Sequence, residues 1–198
     1  MICVIDYNAG NLRSVQKALE ICGANTIVSS EPDDMRKADK VVFPGVGAFG
    51  KAMHTLKELQ LVEPIREVID QGKPFLGICL GLQLLHETSE ESPGVTGLSV
   101  IKGRVKRFSD QLKVPHLGWN VLIQQPSPLW NQVPDESYFY FAHSYYIQPA
   151  DEDIVTGESE YDGQFAVAVR RDNVFGLQFH PEKSQKYGLQ ILKNFIEL

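Results

Sequence analysis

Cys79 lies between two glycines, each two residues away, in the stretch GICLGLQLLHE at residues 77–87. An apolar run, PFLGI, precedes the thiol and a helical pattern follows it, which predicts a sharp turn from a strand into a helix. A nucleophile at such a turn needs small neighbours, because a Cβ there collides with the adjoining strand or helix. The helix N-terminus also favours a thiolate. The stretch therefore predicts a nucleophilic cysteine. The alternative interpretation is a plain βα junction with Cys79 as a small core residue.

A histidine and a carboxylate that suit this nucleophile occur in QFHPEKS, residues 178–184. In an extended chain residues i and i+2 point to the same side, so His180 and Glu182 are expected to project together while Pro181 stiffens the backbone. A thiol, an imidazole and a carboxylate that orients the imidazole form the constellation for acyl transfer through a covalent intermediate. A surface ion pair is the alternative interpretation. The remaining histidines show no metal-ligand spacing such as HExxH, so neither a metal ion nor a cofactor is expected.

Acyl transfer also requires hydrogen-bond donors for the oxyanion that develops on the attacked carbonyl. The backbone N–H of Leu80, the residue after the nucleophile, is the first candidate. The second is the N–H of Val46 in the glycine-rich segment FPGVGAFG, where Gly45 and Gly47 allow peptide orientations that other residues resist. This segment matches neither GxGxxG nor GxxxxGK[ST], so phosphate binding is not expected.

The helix after Cys79 offers one candidate contact to a substrate. Gln83 lies four residues later, one helical turn on and on the same face. Its neutral amide suits a polar, uncharged group of a substrate. The alternative interpretation is a solvated helix residue.

The elements that must position these groups follow two patterns along the chain. The first half alternates apolar runs with helical patterns, which predicts right-handed crossovers and a parallel sheet. From about residue 98 the segments are rich in β-forming residues, residues 124–136 are expected to form a long surface loop, and a final helix is expected at about 184–197. The chain is therefore predicted to be one α/β domain over residues 1–198, with a mostly parallel central sheet flanked by helices and additional antiparallel strands in the second half.

Composition limits the function. A length of 198 residues is sufficient for a buried core without disulfides or metals, and three cysteines form no CxxC pair. The net charge of −6 has the wrong sign for a protein that binds nucleic acid. The N-terminus has no secretory signal pattern and no apolar run is long enough to cross a membrane, so we expect a cytoplasmic protein without a membrane partner.

Several motifs together resemble one enzyme family. GICLGLQLL, FHPEKS and FPGVGAF are similar to the motifs of class I (triad) glutamine amidotransferases. DYNAGNLRSV, PHLGWN and YFAHSYY narrow the resemblance to the glutaminase subunits of imidazole glycerol phosphate synthases, in register over essentially the whole chain. The resemblance implies hydrolysis of L-glutamine to glutamate and ammonia through a Cys79 thioester, with His180 as general base and then acid and Glu182 orienting the imidazole.

The same resemblance assigns the binding residues and the partner. It places Gln83 on the side chain of the substrate, and Gly47 and the segment His143, Ser144 and Tyr145 beside the bound amino acid. It places Asn11 and Trp119 toward a (βα)₈-barrel cyclase subunit, which forms a heterodimer with the glutaminase and receives its ammonia. The cyclase substrate would be the phosphoribulosyl formimino carboxamide ribonucleotide of histidine biosynthesis.

Three other functions stay open at the level of sequence. A stand-alone γ-glutamyl hydrolase would share the cysteine turn, but it leaves Trp119 and the DYNAGN segment without a role. A non-catalytic binding module would not need the complete set of Cys79, His180 and Glu182. A paralogue that supplies ammonia to a different synthase would carry the same motifs.

Overall fold

The first half of the chain folds as its alternating pattern predicts. The computed structural model describes residues 1–8, 10–161 and 163–198. Strands and helices alternate from the N-terminus to the middle of the chain: β1 (Ile2–Ile5), α1 (Leu12–Ile21), β2 (Thr26–Ser29), α2 (Pro32–Lys37), β3 (Lys40–Gly45), α3 (Phe49–Glu58), α4 (Val62–Asp70), β4 (Phe75–Cys79) and α5 (Leu80–Leu84).

The second half is built mainly from strands. They are β5 (Thr88–Ser89), β6 (Gly103–Arg107), β7 (His116–Gln124), β8 (Ser137–His143), β9 (Tyr145–Pro149), β10 (Val155–Glu160), β11 (Gln164–Arg171) and β12 (Val174–Leu177). Short 3₁₀ turns cover Pro128–Trp130, Glu152–Ile154 and Pro181–Lys183, and the chain ends in α6 (Gln185–Glu197).

The strands of the described residues form one mixed sheet with the order β2-β1-β3-β4-β12-β11-β10-β7-β8. Strand β9 also pairs with β11, β6 pairs with β9, and β5 pairs with β6. The pairs β1–β2, β1–β3, β3–β4 and β4–β12 are parallel. From β12 onward the neighbours are antiparallel. The predicted fold class, a mostly parallel central sheet flanked by helices with antiparallel additions in the second half, is confirmed.

The central sheet is buried on both faces. Successive residues of β1 point to opposite faces of the sheet. Cys3 and Ile5 pack into the hydrophobic core on one face, and Ile2 and Val4 pack into the core on the other. Helices α3 and α4 cover the first face, while α1 and α6 cover the second. This explains why the run FAVAV in β11 is apolar at every position, since all five residues are buried. Because β3 and β4 are parallel neighbours in this buried sheet, their carboxyl ends lie side by side at one edge of it.

Helix α2 was not expected from the sequence. It has only six residues, with a proline in its first turn followed by Asp33 and Asp34, which suit a helix N-terminus. Its C-terminal carbonyls are satisfied from outside the segment, because the Lys73 ammonium donates to the carbonyl oxygens of Met35 at 3.0 Å and Arg36 at 2.7 Å. A tertiary contact of this kind leaves no local sequence signal.

The segment SYFYFAHSYYI forms two strands, because the chain changes neighbours at Ser144 from β7 to β6 and β11. The second half differs from the sequence expectation at two other places. Strand β10 was not expected. The predicted surface loop 124–136 packs inward: Trp130 is 7% exposed and its indole N–H donates to the carbonyl oxygens of Gln125 and Thr156, both at 2.9 Å.

None of the helices in the described residues has the length and apolar character needed to span a membrane.

Candidate active site

The turn that presents Cys79 is strained and closely packed. Cys79 ends β4 and begins α5 with φ 54° and ψ −110°, a conformation that L residues rarely adopt outside functional sites. A Cβ on Gly81 would overlap the Phe43 carbonyl oxygen, and a Cβ on Gly77 would lie 3.0 Å from the Leu82 nitrogen. Gly81 is therefore required by the close approach of α5 to β3, and Gly77 lies where α5 packs tightly against the end of β4, as the strand-to-helix turn predicts.

His180 and Glu182 meet, although by a different local geometry from the one expected. Strand β12 ends at Leu177, and His180 caps a 3₁₀ turn rather than continuing an extended chain. Within this turn the Glu182 Oε1 lies 2.8 Å from the His180 Nδ1, and both side chains are buried. The 3₁₀ turn, and not strand alternation, brings residues i and i+2 together. Ser184 fixes the turn, because its hydroxyl donates to the His180 carbonyl oxygen at 2.6 Å.

The charge state of His180 is set by its two partners. Burial lowers the pKa of the imidazole, but hydrogen bonding and negative charge from Cys79 and Glu182 outweigh this effect and raise the pKa to about 9. At neutral pH the imidazole is therefore able to hold a proton between the thiol and the carboxylate. This is the proton that acyl transfer must move.

Asn11 contacts the candidate triad directly. It caps α1 with a left-handed backbone, φ 75°, and its side-chain amide donates to Glu182 Oε1, the oxygen that also faces His180. The other oxygen, Oε2, is buried with no hydrogen-bond partner among the described residues. The resemblance implies that Asn11 lies toward a partner subunit, and the structure places this half-buried side chain against the Glu182 carboxylate.

A cavity of about 220 Å³ opens in front of Cys79. It gathers every candidate oxyanion and substrate residue that the sequence suggests: Val46, Gly47, Leu80, Gln83, His143, Ser144 and Tyr145. Larger clefts occur elsewhere on the surface, but only this one contains the strained cysteine. It is therefore the candidate active site.

The glycine-rich segment forms one wall of the cavity and is held at both ends. Gly45 is the last residue of β3 and pairs with Cys79 in the sheet. Beyond the segment, the Phe49 N–H donates to the Glu91 carboxylate at 2.7 Å. Between these anchors Val46 is 39% exposed and Gly47 has φ 109°, which favours glycine. Within this wall, the peptides around Val46 and Gly47 are therefore the ones least restrained in backbone conformation.

Gln83 and Glu91 each leave an acceptor oxygen among the residues that line the cavity. Gln83 is buried, and its Nε2 donates to the Tyr145 carbonyl oxygen at 2.9 Å and to Gln178 Oε1 at 3.1 Å. Both donors are therefore used, which leaves Gln83 Oε1 as an acceptor. Glu91 also lines the cavity and uses one carboxylate oxygen for Phe49. An amide oxygen and a carboxylate together suit an ammonium group.

His143 lines the cavity but its ring is committed to the protein. Its Nδ1 lies 2.8 Å from the Tyr145 carbonyl oxygen, which can only accept, so its Nε2 accepts from the His116 Nδ1 at 3.0 Å. Burial lowers the pKa of His143 to about 3 and that of His116 to about 4, so both imidazoles are neutral. The pair orients the Tyr145 carbonyl, which in turn orients Gln83.

These buried imidazoles predict a pH dependence of stability. His86 is also buried, and desolvation lowers its pKa to about 4. Below pH 6.5 the unfolded chain takes up protons on His86, His116 and His143 that the native chain refuses, so the free energy of unfolding falls as the pH falls from 6.5 toward 4. His86 and His143 alone give a slope of about 3 kcal/mol per pH unit near pH 5. His180, whose pKa is raised, acts in the opposite sense: its stabilising contribution is complete below pH 6.5 and is lost as the pH rises toward 9.

Urea unfolding between pH 7 and pH 5 measures this slope. His86→Leu is expected to reduce the slope by about 1.4 kcal/mol per pH unit. His54→Gln, at an exposed position on α3, serves as the control. An unchanged slope in His86→Leu would show that this imidazole is protonated in the native state.

Sequence reasoning missed two residues of the site. Gln178 is fully buried, with its Nε2 3.8 Å from the Cys79 Sγ. Its only sequence signal is its position two residues before His180. Glu91 follows the two-residue strand β5 in a polar stretch that carries no pattern. Among the described residues no group of three or more His, Cys, Asp or Glu side chains is arranged to hold a metal ion.

Comparison with known proteins agrees with this geometry. Residues 3–198 match the family "Glutamine amidotransferase class-I". The chain is 52% identical over 198 residues to "Imidazole glycerol phosphate synthase subunit HisH" of Moorella thermoacetica, covering 100% of this chain and 94% of the relative. It is 50% identical to the protein of the same name from Methanocaldococcus jannaschii, covering 100% of both.

Solved structures share the fold at lower identity. A structure described as "Crystal structure of glutamine amidotransferase" superposes with a TM-score of 0.79 at 18% identity, covering 100% of this chain and 98% of the other. A chain of "Structure of PurLQS from Thermotoga maritima" superposes with a TM-score of 0.78 at 21% identity, covering 99% of this chain and 97% of the other. At these identities the likeness concerns the fold alone.

Proposed function

Because the chain belongs to the class I glutamine amidotransferase family, we propose that it is the glutaminase subunit of an imidazole glycerol phosphate synthase. In this proposal all 198 residues form one cytoplasmic glutaminase domain that hydrolyses L-glutamine and passes ammonia to a barrel cyclase. The observation that carries the proposal is the strained Cys79 at a cavity, with the buried pair of His180 and Glu182 acting on it. The identity of the synthase is taken from the names of the full-length relatives.

The chemistry follows from the positions of these groups. The Cys79 Sγ, whose proton is held by His180, attacks the carbon of the side-chain amide of glutamine. His180 then donates that proton to the amide nitrogen, the C–N bond breaks, and ammonia leaves a thioester on Cys79. A water molecule, deprotonated by His180, attacks the thioester, and the thiol leaves with the proton as glutamate forms. The raised pKa of His180 suits the step in which it must act as an acid.

Two backbone N–H groups are assigned to the oxyanion. Leu80 follows the nucleophile at the N-terminus of α5, and Val46 lies across the cavity in the glycine-rich segment. Donors of this kind bind the tetrahedral intermediate more tightly than the planar amide, and so lower the barrier. On the substrate side, Gln83 Oε1 and the Glu91 carboxylate are assigned to the α-ammonium group of glutamine, beside the Ser144 and Tyr145 wall.

An exposed apolar surface beside the cavity suits the partner. The outward faces of β7 and β8 carry Leu117, Trp119 and Tyr138, which are 63%, 46% and 59% exposed. Leu117 and its cross-strand partner Ala142 also line the cavity, so this surface reaches the opening through which ammonia would leave. Exposed apolar surface of this kind marks sites of protein association. We assign it, with Asn11, to the (βα)₈-barrel cyclase in a heterodimer.

Co-purification with a histidine-pathway barrel cyclase tests this function. We expect a one-to-one complex, and we expect Tyr138→Glu to weaken it at least about tenfold, because a charge at the centre of an apolar interface is desolvated without a partner. The matched control is Ile21→Glu, which places the same charge at another exposed apolar side chain, 64% exposed at the end of α1. Absence of a complex with the wild-type chain, together with a steady glutaminase rate by the chain alone, would instead favour a stand-alone hydrolase.

A further inference from the structure

Gln178 occupies the point where the nucleophile, the base and the substrate wall meet. It follows β12 immediately, two residues before His180, and its backbone N–H donates to the Val167 carbonyl oxygen at 2.8 Å. Its side chain is fully buried. The backbone hydrogen bond continues the pairing of β12 with β11, so a rigid strand pair, and not a loop, holds the amide in place. The mechanism described above gives this residue no role.

The hydrogen-bond network fixes which way the amide points. The Tyr145 carbonyl oxygen can only accept a hydrogen bond, so the Gln83 atom 2.9 Å from it must be the donor Nε2. The same Nε2 lies 3.1 Å from the side chain of Gln178, so the Gln178 atom at that contact must be the acceptor Oε1. The remaining amide atom of Gln178, its Nε2, therefore faces the Cys79 Sγ at 3.8 Å.

A donor in this position acts differently on the two forms of the thiol. An amide N–H forms only a weak hydrogen bond with a neutral sulfur, whereas a thiolate is a charged acceptor and receives a stronger one. The site is buried, so water does not replace this donor efficiently. At the same time Gln178 Oε1 accepts a hydrogen bond from Gln83 Nε2, so the Oε1 of Gln83 is directed away from Gln178 and Tyr145. One amide thus acts on both the nucleophile and a substrate acceptor.

We propose that Gln178 is a positioning residue that stabilises the thiolate of Cys79 through its Nε2–H and presents Gln83 Oε1 to the substrate through its Oε1. The inference rests on the proposed function for its substrate, glutamine. Its effect on Cys79 does not depend on glutamine or on the partner subunit, and can be measured without either.

Two variants separate the two effects. Gln178→Met keeps the length of the side chain and removes both hydrogen bonds, whereas Gln83→Met removes the substrate acceptor and the hydrogen bond to Gln178 Oε1 but keeps the Gln178 donor. The rate of Cys79 alkylation by iodoacetamide is followed as a function of pH. In Gln178→Met its midpoint is expected to rise by about one pH unit, the effect of losing one charge-assisted hydrogen bond. In Gln83→Met the midpoint is expected to rise less than in Gln178→Met, because the Gln178 donor remains although one of its orienting hydrogen bonds is lost, while both variants raise KM for glutamine severalfold in the complex with the cyclase.

A measurement on the wild-type chain covers the case in which Gln178→Met does not fold. In ¹H–¹⁵N spectra the side-chain amide protons of Gln178 are expected to move with pH at the same midpoint as Cys79 alkylation, and to lose this movement in Cys79→Ala. Amide protons that do not respond to the thiol, or a folded Gln178→Met with the wild-type alkylation profile, would overturn the inference. Failure of the proposed function would appear differently, as a wild-type complex without glutaminase activity.

Discussion

Replacing Cys79 with serine is expected to abolish glutamine-dependent synthesis by the complex and to leave ammonia-dependent synthesis unchanged. The thiol is assigned only to the release of ammonia, and none of the described residues is assigned to the cyclase reaction. Removing the nucleophile of a serine triad costs about 10⁶ in rate. Because serine retains a hydroxyl, we expect a loss of at least about 10³. The two rates are measured on the same reconstituted complex, with glutamine and with an ammonium salt as nitrogen source.

Cys22→Ser is the matched control, since it makes the same chemical change at a thiol far from the cavity. The Cys22 thiol donates to the Leu189 carbonyl oxygen at 3.3 Å, a contact that a serine hydroxyl can also make. Both rates should therefore stay at the wild-type level in this variant. If Cys79→Ser lost both activities while it remained folded and bound to the cyclase, the division of labour between the two subunits would be wrong.

The fold was predictable where local pattern and tertiary environment agree. Strands β1, β3 and β4 are short apolar runs that lie inside a sheet covered on both faces, so their sequence and their burial carry the same information. Helix α2 was missed because its end is capped by Lys73, a residue more than thirty positions later. Strand β10 was missed because its sequence, VTGESE, is polar at several positions, and pairing with β11 and β7 overrides that composition.

The site was predictable to the extent that covalent chemistry dictates its residue types. Cys79, His180 and Glu182 were found because a thiol at a glycine-flanked turn needs a base and a group that orients the base. The route to His180 and Glu182 assumed an extended chain, whereas the structure uses a 3₁₀ turn. Gln178 was missed because an amide beside a sulfur has no characteristic spacing, and the role proposed for it depends on contacts with Gln83 and Tyr145, which are distant in sequence.

The glycine-rich segment is the part of the site best suited to control. Gly45 is held in β3, where a Cβ would overlap the Tyr7 hydroxyl, and the Phe49 N–H is held by Glu91. Only the short stretch between them can change its peptide orientation without breaking the sheet or α3. Val46, in this stretch, is exposed at the mouth of the cavity, so a partner that covers the outward faces of β7 and β8 can reach it.

The isolated chain is therefore expected to hydrolyse glutamine slowly, and the cyclase with its ribonucleotide ligand is expected to raise the rate by at least about 10² to 10³. That factor is the typical effect of one oxyanion donor, roughly 3 to 4 kcal/mol, and it applies if the Val46 N–H turns toward the oxyanion only in the complex. Steady-state glutaminase assays compare the chain alone, with the cyclase, and with the cyclase plus ligand.

Iodoacetamide alkylation of Cys79 supplies the control for this last prediction, because it forms no oxyanion and needs no second donor. Its rate should change far less than glutamine hydrolysis across the same three states. Trp119→Ala, on the apolar surface beside the cavity, should weaken the activation by the cyclase without a proportional change in alkylation. A full glutaminase rate in the isolated chain would mean that both donors are already in place, and activation would then have to act on substrate binding or on the release of ammonia.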